Sequence, residues 1–404
     1  MPSTDPYDMT PFLPEKGENE LNALILELKG ETGRLSGAMH PVTASAVSSL
    51  VVNMNSYYSN MIEGHSTHPL DIENALKKKY ADDEKKRILQ MESEAHIRVN
   101  RAMRDRLIAE PDLNICSTGF LCWLHGEFYK HLPGELRTVK TKSGEEWEVI
   151  PGHLRERDVE IQAHVAPDSK MLNAFMERFE TNYNPATIGD PVKRILAIAA
   201  SHHRLAWIHP FLDGNGRTVR LFSEAYLIRE GLSNDGLWSI SRGLAVFRKD
   251  YYARLNNADM LRINDYDGRG NLSDTYLKDF CIFFLRTAID QVKFMSSLFE
   301  TDKMLERINT FAELMASRGA LRIESKYLLT EVYLRGRVNK MDIIHITGKS
   351  ETIARPIMNT LLDMGLLKTG KGLRAPLTIN FPAAYLGYFF PKLYPPDIEA
   401  TLSS

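Results

Sequence analysis

Cysteine is scarce in this chain: Cys116, Cys122 and Cys281 are the three among 404 residues. Their odd number and the absence of ligand-like spacing exclude a disulfide scaffold and a cysteine-built zinc site. They read as buried thiols in a reducing compartment. A surplus of either charge is missing too, since 50 Lys and Arg stand against 52 Asp and Glu, a formal net charge of −2. The bulk charge therefore implies neither a nucleic-acid nor a membrane partner, although local patches can differ. No basic-then-apolar segment opens the chain, and its most apolar runs are too short or too charged to cross a bilayer. Internal repeats and low-complexity runs are also lacking. A cytoplasmic globular protein with two or three domains and a substantial core is the expectation.

What is present is concentrated between His209 and Arg220, which read His-Pro-Phe-Leu-Asp-Gly-Asn-Gly-Arg-Thr-Val-Arg. Pro210 discourages helix through His209, so one helix ends there and a loop begins. Gly214 and Gly216 allow a tight turn with bare N–H groups, and Arg217 onward is helical again. Exposed amides leading into a helix N-terminus form an anion site, because the orphan N–H groups and the dipole point the same way. Arg217 and Arg220, three apart, project from one helix face. Asp213 is a hard oxygen ligand suited to magnesium, and His209 can take a proton from an attacking hydroxyl. The stretch reads as a phosphate-handling active site.

These residues resemble the signature of the Fic family, HPFx(D/E)GNGRxxR, with every defined position filled. The resemblance implies transfer of AMP from ATP to a hydroxyl of a protein. ATP would rest its α- and β-phosphates on the amides of Gly214, Asn215 and Gly216. Asp213 would hold Mg²⁺, Arg217 and Arg220 would bind the β- and γ-phosphates, and His209 would act as the base. The implied fold is mainly α: an all-helical core with a β-hairpin flap, an N-terminal helical region and a small C-terminal winged helix-turn-helix-like α+β unit. Expected boundaries are an N-terminal arm over 1–18, a helical region over 19–110, the catalytic core over 111–300 and the last unit over 301–404.

Upstream, Leu21, Leu24, Ile25, Leu28 and Leu35 follow helical spacing after an arm that is either mobile or draped on the surface. A second helix spans about 43–64, with Val47, Leu50, Val51, Met54, Tyr57 and Met61 as its apolar stripe. Ser56, Ser59, Asn60 and Glu63 form its polar side, and Gly64 ends it. Glu63 is oddly placed, because a carboxylate in the last turn faces the negative end of the dipole unless a cation is near. Ser59-Asn60-Met61-Ile62-Glu63-Gly64 resembles the inhibitory motif (S/T)xxxE(G/N) of many Fic proteins, whose glutamate pairs with the second signature arginine, here Arg220. Farther on, Lys77–Lys79 and Lys85–Arg87, interrupted by Asp82, Asp83 and Glu84, read as a solvated face.

Val159, Ile161, Ala163 and Val165 alternate with polar residues and suggest extended structure. In the family the matching stretch is the flap, so Val159, Glu160 and Ile161 are expected to dock the target backbone by strand addition. A second hairpin is expected between Gly134 and Pro151 with its turn at Ser143-Gly144. His202 and His203 read as structural or surface residues, not zinc ligands. Tyr252 and Asp259 resemble the adenine-lining segment, where the family often has Asn instead of Asp. Core packing accounts equally well for Tyr251 and Tyr252. In the last unit, helices over 327–334 and 341–346 precede one capped by Ser350. Strands at Leu366-Leu367 and Leu377–Ile379 flank Gly370-Lys371-Gly372. Lys349, Arg355, Lys371 and Arg374 could contact DNA phosphates, but Pro356 should kink the presumed recognition helix. Protein docking or dimer packing is favoured over DNA binding for this unit, so the expected partners are ATP, a hydroxyl-bearing protein and a second copy of the chain. The remaining alternatives are an enzyme that also removes AMP, and a DNA-binding regulator with a vestigial core.

Overall fold

The computed structural model describes residues 2–140, 144–161, 164–233, 235–372 and 374–398. The protein is mainly helical, with a few short antiparallel hairpins. Helices α1 (Glu18–Ser36), α2 (Pro41–Ile62), α3 (Pro69–Leu76) and α4 (Glu84–Ala109) come first, followed by α5 (Thr118–Lys130). Two hairpins follow, β1 (Thr138–Lys140) with β2 (Glu146–Glu148), and β3 (Glu160–Ile161) with β4 (His164–Val165). Then come α6 (Leu172–Tyr183), α7 (Pro191–Ile208), α8 (Asn215–Arg229), α9 (Ile240–Val246), α10 (Arg248–Ala258) and α11 (Asp274–Leu298). The last stretch holds α12 (Thr301–Ser317), α13 (Ser325–Arg335), α14 (Ile343–Thr347), α15 (Glu351–Asp363), the hairpin β5 (Leu367–Thr369) with β6 (Leu377–Ile379), and α16 (Leu386–Phe389). No single helix among the described residues is long and apolar enough to cross a membrane.

Local chemistry sets the ends of the helices that frame the site. Asp190 caps α7 by accepting from Val192 N–H, and Pro191 occupies its first turn, where a missing N–H costs nothing. At the other end His209 adopts a left-handed conformation, φ 50°, so the chain turns before Pro210. Gly214, φ 76°, starts α8. A Cβ there would come within 2.8 Å of the Tyr129 ring, so both conformation and space require glycine. Helices α7 and α8 pack on each other, with α11 behind α7 and α5 against α8.

Helix α2 lies in the middle of the molecule. Its apolar stripe is buried except for the half-buried Met61, and most of its expected polar side is buried too: Ser56, Ser59 and Asn60, with Glu63 alone exposed. Ser56 donates to Ser93 O at 3.0 Å and Asn60 donates to Ser93 Oγ at 3.2 Å, which fastens α2 to α4. Nearby, Glu224 of α8 accepts from Asn55, Asn100 and Arg104. Where other helices cover it, the polar stripe of α2 becomes a hydrogen-bonded seam, since buried polar groups must find partners. On the opposite side Tyr57 and Tyr58 pack around Tyr394, and Thr43 donates to Tyr333 O at 2.8 Å. The last stretch of chain is thereby joined to α2.

Several expectations change in detail. The N-terminal arm is draped, not free: Met9 is buried, Thr10 O accepts from Leu272 N–H, and Arg204 donates to Pro11 O. Cys116 and Cys281 are buried, whereas Cys122 is half-buried. The alternation read through 159–165 does not carry from β3 into β4. In the observed register Ile161 faces His164 and Glu160 faces Val165, so Val165 shares the outer side with Glu160. Ala163 lies outside the described residues, as does Ser143, while Gly144 has the expected left-handed φ of 87°. Helix α15 runs continuously through Pro356, and Ser350 stands at its start without a side-chain cap, its hydroxyl meeting Thr352 instead. Residues 399–404 of the tail also fall outside the description.

Candidate functional site

His209 is presented by the end of α7, and the backbone around it is pinned by a residue that sequence reasoning did not single out. Arg155 has a fully buried side chain and donates from Nε to His209 O at 2.9 Å, while its own N–H donates to Pro210 O at 2.9 Å. Its remaining guanidinium donors go to Arg157 O and Pro167 O. The imidazole is pushed down to about 3 by burial, then by the charges of His164 and Arg155. His209 is therefore a neutral ring at physiological pH.

The loop from Phe211 to Gly214 is closed by Asn215. Its side chain accepts from Phe211 N–H at 2.9 Å and donates to Phe211 O at 2.7 Å, standing in for a backbone pair. Phe211 stacks flat on His125, with centroids 4.0 Å apart, and His125 Nε2 lies 3.1 Å from Asp213 O. Tyr129 donates to Asp213 Oδ2 at 2.7 Å. Burial raises the Asp213 carboxyl, but the Arg217 charge and the hydrogen bonds of Tyr129 and Gly214 bring it below its usual range. The side chain keeps half of its surface exposed. A lone, ionised, solvent-facing carboxylate fits magnesium that arrives with phosphate ligands. Among the described residues no cluster of three or more His, Cys, Asp or Glu could form an all-protein cage.

The two signature arginines of α8, Arg217 and Arg220, are both buried and both paired. Arg220 donates from Nη2 to Glu63 Oε1 at 2.6 Å and from Nε to Ser59 Oγ at 2.9 Å, with Ser59 O a further acceptor at 3.1 Å. Burial raises the Glu63 carboxyl, but the Arg220 guanidinium, aided by Arg217, outweighs it and holds the group below its ordinary value. Gly216 makes this approach possible, because a Cβ there would stand 2.3 Å from Glu63 Oε1. Arg217 meets Glu92 Oε1 at 3.3 Å, lies 4.0 Å from Asp213 Oδ2 and stacks over Phe128. Glu92 Oε2 in turn meets His65 Nδ1 at 2.6 Å.

One cavity of about 250 Å³ collects much of the expected site. His209, Asn215, Gly216, Arg220, Glu63, Ile161, Tyr252 and Asp259 line it. Asp213, Gly214 and Arg217 stand outside that lining, as do Ser59, Val159 and Glu160. Tyr251 is buried, paired with the buried His202, whose other nitrogen meets Ser223 Oγ; Tyr252 donates to Ile62 O. The surface reading of His202 and His203 is thus replaced by the structural one, since both rings sit inside the α7 packing. Asp259 lies between His164 and His203, at 3.1 and 3.0 Å. Glu92, His65, Tyr129, Arg155, His164 and His203 are the neighbours that sequence reasoning missed. The one usable signal was Gly152-His153-Leu154-Arg155 leading into the flap, because a buried arginine needs several acceptors and irregular backbone supplies them.

Comparison with known proteins places this geometry in context. Residues 116–227 match the profile of the Fic/DOC family. A protein adenylyltransferase Fic of Aedes aegypti is 40% identical over 82 residues, and one of Drosophila willistoni 38% identical over 80. Each match covers 20% of this chain and only 16% of the relative's length. In overall shape the chain is similar to a Fic family protein from Desulfovibrio desulfuricans, with a TM-score of 0.50 at 16% identity, over 88% of this chain and 96% of that one.

Proposed function

Because the chain carries a Fic domain, we propose that it is a protein adenylyltransferase, transferring AMP from ATP to a Ser, Thr or Tyr hydroxyl of a target protein or of itself. The observation that carries this reading is the shared cavity in which a neutral His209 faces Gly216 at the start of α8 and the guanidinium of Arg220. His209 takes the proton of the attacking hydroxyl. The hydroxyl oxygen bonds to the α-phosphorus as the bond to the β-phosphate breaks, and pyrophosphate leaves. The chain contributes chiefly position and charge neutralisation. Arg155 fixes the backbone from which the base projects, and Asn215 holds the loop whose amides receive the phosphates. Asp213 would hold Mg²⁺, which neutralises phosphate charge when bound.

Glu63 restrains this reaction. It occupies Arg220 and lies against Gly216, where a γ-phosphate would need both the guanidinium and the space. With Glu63 in place the cavity is smaller than the roughly 300–1,000 Å³ usual for small-molecule sites. The unit over residues 301–404 serves docking to protein instead of DNA. Two of its four candidate phosphate contacts are already neutralised, Lys349 by Glu324 and Arg355 by Glu351. Transfer of label from ATP carrying a marked α-phosphate tests the assignment. Label should appear on the Glu63→Gly protein and not on Glu63→Gly/His209→Ala. Absence of label from both, with ATP and magnesium bound, would overturn it.

A further inference from the structure

The flap hairpin is short. Among the described residues two residue pairs join β3 to β4, with one more backbone bond from Ala166 N–H to Val159 O. So small a ribbon is marginal by itself and needs an outside anchor. His164 is the side chain that turns inward from it, with 11% of its surface exposed. Its Nε2 is 2.7 Å from Trp207 O, and its Nδ1 is 3.1 Å from Asp259 Oδ2.

The protons can be placed by elimination. A carbonyl oxygen only accepts, so Nε2 of His164 carries a hydrogen. The other carboxylate oxygen of Asp259 meets His203 Nε2 at 3.0 Å. His203 Nδ1 is 2.7 Å from Arg204 Nη1, which only donates, so the single proton of a neutral His203 is on Nε2, shared between Leu255 O at 3.1 Å and that Asp259 oxygen. Asp259 faces that N–H and the buried Arg204 charge. Burial raises its carboxyl, but its two histidine partners outweigh that and hold it well below the ordinary range, so it is the ionised acceptor and Nδ1 of His164 carries a hydrogen as well.

We propose that His164 is a positioning residue, a buried imidazolium that latches the flap to Asp259 and to the end of α7. Ile161, its partner across the hairpin, lines the catalytic cavity, so the latch sets the flap edge relative to His209. The role in transfer rests on the proposed function, but the latch itself does not. The titratable groups around His164 are the charged Asp259 at the C-terminal end of α10, the charged Arg155 ahead of the flap, and the neutral rings of His209 and His203 at and near the end of α7. Burial lowers the His164 imidazole, and the Asp259 carboxylate more than restores it, to above its ordinary value. The stabilisation is thus complete below the ordinary histidine value and is lost as pH rises through the raised one.

The test is ring-nitrogen NMR of the full chain labelled on histidine, with His164→Gln identifying the signal. Neither nucleotide nor target is needed, so failure of the adenylyltransferase reading would leave this result interpretable. The expected outcome at neutral pH is a doubly protonated ring in the wild type and a neutral one in Asp259→Asn. Amide exchange at residues 159–161 and 164–166 should quicken on the order of tenfold in both variants, as loss of one charge-assisted hydrogen bond implies. If His164→Gln does not fold, the near-isosteric Asp259→Asn carries the test. A singly protonated His164 in the wild type, or unchanged flap exchange in Asp259→Asn, overturns the proposal.

Discussion

Arg217 and Arg220 stand one turn apart on α8, both buried, and each meets a glutamate delivered by the N-terminal helices. The likeness ends at the direction of approach. Glu63 comes through the cavity, against Gly216, and with Ser59 it engages both Nε and Nη2 of Arg220. Glu92 comes from outside that cavity, is itself held by His65, and leaves Nε of Arg217 without a partner among the described residues. The same pair of charges therefore serves two ends. Under the proposed function, the carboxylate inside the cavity would compete with a phosphate, whereas the one behind the guanidinium would aim its remaining donors. Location, not ion-pair chemistry, would then separate a block from a support.

The comparison can be broken in several ways. Removing the base should have the largest effect: His209→Ala in the Glu63→Gly background should lower labelled AMP transfer by about 10²–10⁴-fold, the usual weight of a positioned base. Removing the block comes next. Glu63→Gly should raise transfer on the order of a hundredfold, as restored alignment of a reacting phosphorus implies. Glu92→Gln should act in the opposite sense, raising the KM for ATP on the order of tenfold in the Glu63→Gly background through loss of a charged hydrogen bond. If Glu92→Gln activates the otherwise wild-type protein, Glu92 is a second block and the contrast collapses. Smallest is the effect of pH. The Glu63 carboxyl lies below its ordinary value, so the inhibitory pair is present above the unfolded value and weakens only as pH falls through the lowered one. The ratio of wild-type to Glu63→Gly transfer should stay flat from roughly pH 6 to 8. A ratio that changes there would show that another group governs release.

How much of this was legible depended on how local the cause was. Both boundaries of the signature loop follow from Pro210 and Gly214, which act on their own backbone. The pairing of Glu63 with Arg220 was legible in two steps: a carboxylate at the wrong end of a helix dipole asks for a cation, and only the resemblance to the inhibitory motif named Arg220 as that cation. Glu92 gave no such sign, sitting mid-helix between Met91 and Ser93 with no terminus or motif to mark it until the packing of α4 on α8 buried it. The flap misled in its phase, because strict alternation holds only along one strand, and the register of β3 on β4 placed Val165 opposite Glu160. The buried polar seam of α2 was hidden likewise. Ser56, Ser59 and Asn60 are an exposed stripe by pattern and an internal one once α4 and α8 flank them.

By itself the amino-acid order determined the chemistry available here: a base, an acid, an amide loop and two guanidiniums within twelve residues, with helix stops on both sides. Those follow from covalent geometry and short-range hydrogen bonding, which act on neighbours in the chain. Only the tertiary structure decided which carboxylate enters the cavity, that Arg155 pins the base, and that His164 bridges flap and pocket. Such choices rest on desolvation and contacts between residues tens to more than a hundred positions apart, and no local pattern records who will be buried beside whom.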